Sequence, residues 1–256
     1  MNVDGLFVYP VKSAAGMAVE AWDLDDFGLQ HDREYMVVDE NGSFLTQREI
    51  PRLALVRPEL GDPLVINTPE GSAPAAPGET VTVRVWDYRG PAVDCGDEVA
   101  DLLTLSLDQP CRLVRTTPRH MRPAPGGGQV GFADGFPLLI TTTSSLADLN
   151  SRLPEPLPMN RFRPNIIIGN QEPWAEDDWL ELDIGGIPVD VVKACTRCAI
   201  TRVDQTTGVR GDLEPLQTLA EFRRGPEGVE FGQNAIHRAA GTLRVGDSVT
   251  VTSPQS

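Results

Sequence analysis

EYMVVDENGSFLTQ, residues 34–47, sets the architecture of the chain. Residues 34–40 read as a strand, Asn41-Gly42 as a two-residue turn, and residues 43–47 as the returning strand. Asn-Gly suits such a turn because both of its positions take positive φ. The same grammar continues on either side. Residues 3–9 read as a first strand, and residues 62–79 as a proline-rich loop around the short strand PLVIN. TVTVRVWDY, residues 80–88, alternates cleanly and predicts a half-buried strand. Residues 96–107 predict a helix with Asp94 as a candidate cap and Val99, Leu102, Leu103 and Leu107 on one face.

TPRHMRPAPGGG, residues 117–128, has no periodicity and reads as a linker or a long functional loop, so a domain boundary is expected near residue 120. Beyond it, residues 136–141 and 165–168 read as buried strands. Between them lies a helix carrying Leu146, Leu149 and Leu153, capped by Thr143 or Ser144. Residues 180–192 predict a hairpin turning on Gly185-Gly186. Pro215 is expected to open a helix running to residue 224, with Asp212 ahead of it. Two short strands about Gly246-Asp247 end the chain. Many short strands and few helices predict a mainly β protein with α+β elements, built as barrels or sandwiches rather than as a parallel α/β sheet.

Composition narrows the function. The 256 residues carry a net charge of −15, which argues against a partner with a phosphate surface, whether nucleic acid or anionic membrane. No apolar run is long enough for a membrane-spanning helix, and the first residues lack the pattern of a secretory signal. The cytoplasm is the expected compartment. Only two lysines, Lys12 and Lys193, stand among twenty arginines, so each marks a place worth attention.

Cys195-Thr196-Arg197-Cys198, directly after the strand VDVVK, is the sharpest motif. Structural zinc needs about four ligands, and Cys95, Cys111, His31, His120 and His237 are scattered. A thioredoxin-like dithiol needs the pair at a helix start, and the residues that follow look like a strand into a turn. Two readings remain: a pair of buried, inert thiols, or one thiolate completing the coordination of a metal already held by a sulfur-rich cofactor. A cofactor carrying phosphate would require local cations in this acidic chain. The candidates are Lys12 with Ser13, Arg33, Arg48 and Arg163. The acidic run Glu176-Asp177-Asp178 reads as a solvated turn or a docking surface. No phosphate-cradling glycine motif, HExxH or GxSxG occurs.

Taken in order, these stretches resemble a known family. YPVKS (residues 9–13), HDREYMVVDENG with Arg33, and FLTQREIPRLALV (44–56) resemble the N-terminal β-barrel domain that precedes a MOSC (molybdenum cofactor sulfurase C-terminal) domain. SSLADLNSRL (144–153), RFRPNIII (161–168), KACTRC (193–198), VDQTTG (203–208) and FGQNA with GTLRVGDSV resemble the MOSC domain itself, in the arrangement of the amidoxime-reducing components. The division implied is residues 1–120 and 121–256.

The resemblance implies a molybdenum cofactor, a molybdopterin whose dithiolene holds the metal, with Cys198 as the protein ligand and Cys195 as a neighbour. It carries the pterin and phosphate contacts onto Lys12, Ser13, Arg33, Asp134 and Gly135, Arg163, Thr196 and, more loosely, Asn234. Arg48 is added from its charge alone. The implied reaction reduces a small N-hydroxylated substrate from N–OH to N–H with loss of water. A carrier of cofactor or sulfur, without redox turnover, is the alternative. Neither the iron–sulfur domain of some relatives nor the pyridoxal-phosphate domain of the sulfurases is present in the sequence, so electrons are expected from a separate redox protein. No mitochondrial anchor or transit segment is expected ahead of the first strand.

Overall fold

The computed structural model describes residues 1–118 and 120–254. The first half contains β1 (Asn2–Val8), β2 (Met17–Val19), β3 (Ala21–Asp25), β4 (Gly28–Leu29), β5 (Tyr35–Val38), β6 (Arg57–Glu59), β7 (Val65–Thr68), β8 (Gly71–Pro74), β9 (Thr80–Val85), β10 (Tyr88–Asp94), helix α1 (Asp97–Leu107) and β11 (Arg112–Thr116). The second contains β12 (Leu138–Thr142), helix α2 (Thr143–Arg152), β13 (Ile166–Gly169), β14 (Trp179–Ile184), β15 (Ile187–Thr196), helix α3 (Leu216–Phe222), β16 (Arg224–Gly225), β17 (Gly228–His237), β18 (Gly241–Arg244) and β19 (Val249–Pro254). The protein is mainly β, as its many short strands predict.

β5 is buried along its whole length because it separates two cores. Tyr35 and Val37 point into a cluster with Leu53, Val99, Leu103 and Leu113. Met36 and Val38 point the other way, to Val83, Val114 and Phe132. A strand with period 2 and both faces covered must be apolar at every position, which explains the run YMVV. Its strand partner is β11, with Val37 opposite Leu113. The expected hairpin forms in shortened form on the other edge of β5, Asp39 N–H donating to Ser43 O and Leu45 N–H to Val37 O, both at 2.9 Å. Residues 43–47 return only through isolated bridges such as Val38–Phe44. The turn spans Asp39 to Ser43, with Asp39 Oδ1 accepting from the backbone N–H groups of Asn41 and Ser43, so only Gly42 takes positive φ.

Four sheets form, the largest in the order β19-β14-β15-β17-β12-β13-β1-β2, with β16 beside β17. In space the first strands join the second half. β1 runs antiparallel to β13, with Leu6 opposite Ile166, and β3 pairs with β18. Val3, Leu6 and Val8 thereby pack with Leu138, Ile140, Ile166 and Ile168, each fully buried side chain contributing about 1.5–3 kcal/mol. The two-domain division near residue 120 that we propose therefore follows the chain, while β1 ties the halves together.

Other local expectations shift. The strand expected over residues 80–88 ends at Val85 and turns through Trp86, with φ 51°, into β10. Asp94 does not cap α1. It accepts from the Gly96 N–H and pairs with Arg112. Thr142, not Thr143 or Ser144, caps α2, its Oγ1 accepting from Ser145 N at 3.2 Å. Pro215 precedes α3 rather than opening it, and the helix stops at Phe222 because Arg224 pairs in β16. The Gly185-Gly186 hairpin forms as expected, both glycines at positive φ.

The acidic run is not a solvated turn. Glu176 is completely buried, and its Oε2 accepts from Ser145 Oγ at 2.8 Å and Thr142 Oγ1 at 3.1 Å. Asp177 pairs with Arg223. Among the described residues Glu176 Oε1 has no partner, and burial raises its pKa above the usual 4.5. A carboxyl whose folded pKa is raised loses stability as pH climbs from the unfolded value toward the folded one. We therefore expect Glu176→Gln to flatten the fall of melting temperature above pH 4.5 and to raise it at pH 8 by about 2–4 °C. An unchanged pH profile by differential scanning calorimetry would refute this.

Candidate functional site

β1 leaves the large sheet at Tyr9 and turns sharply, with Lys12 N–H donating to Tyr35 O at 2.8 Å and Ser13 at φ 63°. The turn between β4 and β5 brings Arg33 alongside, its N–H donating to Tyr9 O at 2.7 Å and its φ at 50°. Arg163, just before β13, takes φ 56°. Left-handed backbone at a residue other than glycine costs of order 1–3 kcal/mol and persists where the surroundings demand it. Here three such residues border one cleft of about 180 Å³.

The aperiodic loop supplies the opposite wall and is not a free linker. His120 is buried against the Val130 and Gly131 carbonyls. Gly131 lies so close to Arg33 that a Cβ would stand 2.7 Å from Arg33 O. Phe132 N–H donates to that same oxygen at 2.7 Å, and Lys12 Nζ donates to Phe132 O at 2.8 Å. This stitching sets Asp134 and Gly135 on the cleft wall. The third wall comes from the end of β15, the 3-10 turn Ala199–Arg202, and Asn234 of β17, whose amide donates to Ala194 O at 3.4 Å.

Five basic side chains line the cleft, Lys12, Arg33, Arg48, Arg163 and Arg197, against one carboxylate, Asp134. In a chain of net charge −15 this is a cationic island. Asp134, 57% exposed, pairs with Lys12 and lies 3.5 Å from Arg48. Burial lowers the Lys12 pKa, partly offset by Asp134. Arg33 pairs with buried Asp32. Both the Arg33 and Arg163 guanidinium groups lie over the Tyr9 ring, at 4.3 and 4.4 Å. Arg163 Nη1 donates to Ala14 O at 2.6 Å, while Nη2 is buried and, among the described residues, without a partner. Burial and the neighbouring Arg33 charge push the Arg163 pKa down to about 10.

The four thiols divide into two kinds. Cys95 and Cys111 are buried, and burial pushes them up to about 12 and about 11, so they are inert. Cys195 and Cys198 are partly exposed and line the cleft. Cys195 Sγ accepts from Arg197 Nη1 at 2.9 Å. Cys198 faces Arg48. Burial alone would lower the Arg48 pKa, and the Cys198 sulfur and Asp134 carboxylate turn the shift upward.

The MOSC N-terminal beta barrel domain matches residues 1–110 and the MOSC domain matches residues 127–250. The chain belongs to the MOSC family. Human mitochondrial amidoxime-reducing component 1 is 36% identical to it over 97% of this chain and 82% of its own length. Human mitochondrial amidoxime reducing component 2 is 34% identical over the same shares. A zebrafish molybdenum cofactor sulfurase is 33% identical over 93% of this chain and 32% of its own length.

In this MOSC chain every site residue expected from sequence borders the one cleft: Lys12, Ser13, Arg33, Asp134, Gly135, Arg163, Thr196, Cys198 and Asn234, with Arg48 beside them. Lys193 does not, pairing instead with Glu227 on the surface. Among the described residues no three His, Cys, Asp or Glu side chains converge on a bare metal ion. The donor set fits a group that brings its own metal ligands and negative charge: two accessible thiols, of which Cys195 already accepts from Arg197, clustered cations and the unpartnered Arg163 Nη2. Sequence reasoning missed the supports. Gln47 and Gln205 exchange amide hydrogen bonds at 3.1 and 2.8 Å, and Gln47 also donates to Ser13 O at 2.6 Å. Tyr9, buried and pushed up to about 12, stays protonated and donates to Pro164 O.

Proposed function

We propose that this chain is a molybdenum-cofactor-dependent reductase of N-hydroxylated compounds. The observation that carries the reading is the cationic cleft with Cys198 on its wall and a buried guanidinium N–H unsatisfied. When bound, the molybdenum cofactor supplies two-electron redox chemistry, so that N–OH plus two electrons and two protons becomes N–H plus water.

The chain's own residues do the rest. Lys12, Arg33 and Arg163, with the backbone at Ser13, Asp134 and Gly135, hold the anionic part of the cofactor by charge-assisted hydrogen bonds. Thr196 and Asn234 border its other side. Cys198 provides the thiolate ligand, with Arg48 beside it on the cleft wall. Asp134 offsets the Lys12 and Arg48 charges at the mouth. Electrons come from a separate redox protein. The reading keeps the cytoplasm, where thiols stay reduced. The relatives are named as mitochondrial, and no helix among the described residues is long and apolar enough to cross a membrane.

The test is purification from a host that makes molybdopterin, with molybdenum and pterin analysis, then assay of an amidoxime with an artificial electron donor. Near-stoichiometric metal and turnover are expected. Metal without turnover, with transfer of cofactor to an apo-enzyme, would replace the reductase by a carrier. Absence of both metal and pterin would end both readings.

A further inference from the structure

A second cavity lies on the other side of the turn that carries Arg33. It has a volume of about 980 Å³, at the upper end of the range of small-molecule sites. Consecutive residues divide the two spaces: Asp32 lines the large cavity and Arg33 lines the thiol cleft. The two have opposite electrostatic character. The cleft gathers cations, whereas the large cavity is lined by Asp25, Asp32, Glu34 and Asp62, with Arg115 and His31 as its basic groups.

Most of these charges are already engaged. Glu34 is held between His31 at 2.7 Å and Arg115 at 2.6 Å, and Asp32 by Arg33. Asp25 and Asp62 are not: among the described residues neither makes an ion pair, and Asp25 Oδ1 accepts only from the Phe27 N–H, at 2.8 Å. The cavity lining is also aromatic and aliphatic, with Trp22 and Phe27 and with Leu60, Pro63 and Leu64. Thr117 also lines the cavity, and its buried Oγ1 has no hydrogen-bond partner among the described residues. Uncompensated carboxylates beside aromatic faces attract a cation twice, by charge and through the ring quadrupole, while the apolar walls accept its body.

We propose that this cavity is a binding site for a small organic cation with an apolar or aromatic body, held by Asp25 and Asp62 against Trp22 and Phe27. The site is separate from the thiol cleft, and its occupancy does not depend on a cofactor there.

The experiment is calorimetric titration of the full chain, with and without cofactor, using benzamidine as the cationic probe and benzamide and benzoate as neutral and anionic probes of the same shape. Benzamidine is expected to bind saturably at one site in both forms, and benzoate not at all. Asp25→Asn together with Asp62→Asn, which keeps the acceptor for Phe27 N–H, should weaken benzamidine by about tenfold or more. Phe27→Leu, which keeps the bulk and removes the ring, should weaken it by about threefold. Circular dichroism checks that the variants fold, and if the double variant does not, Phe27→Leu and the three probes decide alone. No saturable benzamidine binding, equal binding of benzoate, or full affinity in the folded Asn variants would overturn the proposal.

Discussion

Cys198→Ser, prepared in a molybdopterin-producing host, is expected to lose more than about 100-fold in amidoxime reduction, a larger loss than removal of an outer-shell partner of a metal site brings. The fold should survive. Cys198 is partly exposed at the start of the Ala199–Arg202 turn, and its structural hydrogen bonds are made by its backbone carbonyl, which accepts from Thr201 N and Oγ1. Serine preserves them. Pterin retention should stay within a few-fold of normal, because the cations assigned to the anionic part are untouched. Cys195→Ser gives the contrast. Its sulfur already accepts from Arg197 at 2.9 Å, a role that a hydroxyl fills, so activity should stay within about threefold. Equal loss from both variants would remove the assignment of Cys198 as ligand. Loss of melting temperature in step with activity would reduce Cys198 to a structural residue.

That contrast was only half legible in the sequence. The spacing of Cys195 and Cys198 announces two thiols near one another, but not their different partners. Those depend on the irregular end of β15, where the register with β17 shifts between Ala194 and Thr196, and on Arg197 reaching back to Phe162 O. Local patterning served well where one physical rule dominates. The YMVV run, the Gly185-Gly186 turn and strands β12 to β15, β18 and β19 follow from burial and positive φ, whereas β17, in the middle of the large sheet, was not read as a strand. Local patterning was right only in part at residues 41–47, where the returning segment pairs with one edge of β5 through the Val38–Phe44 bridge, while the other edge is taken by β11, a partner no local pattern announces. It also failed at Glu176, where an acidic run carries a buried side chain that only the packed α2 start explains. The Gln47–Gln205 pair joins residues 158 apart, and no periodicity encodes such a contact. Arg48, chosen for charge alone, reaches the cleft because the segment after β5 folds back over it.

Arg163→Met should separate binding from stability. The Arg163 charge is a burden on the folded protein. Its pKa falls to about 10 from 12.5, chiefly through burial and further through Arg33, which corresponds to about 3 kcal/mol. Because a guanidinium stays charged across the working pH range, this penalty is present at neutral pH and is not relieved by loss of the proton. An anion on the unpartnered Nη2 relieves it directly. Methionine removes the penalty and forfeits the bond to Ala14 O, two changes of opposite sign, so the cofactor-free protein should melt within about 4 °C of normal. Retention of pterin through purification should nevertheless fall about 100-fold or more, the scale of two charge-assisted hydrogen bonds. Inorganic phosphate offers a readout free of catalysis: it should raise the melting temperature of the cofactor-free protein and have little effect on the variant. A variant that melts far lower yet keeps its pterin would show that the guanidinium holds Ala14 and the turn at Ser13 in place, with no part in anion binding.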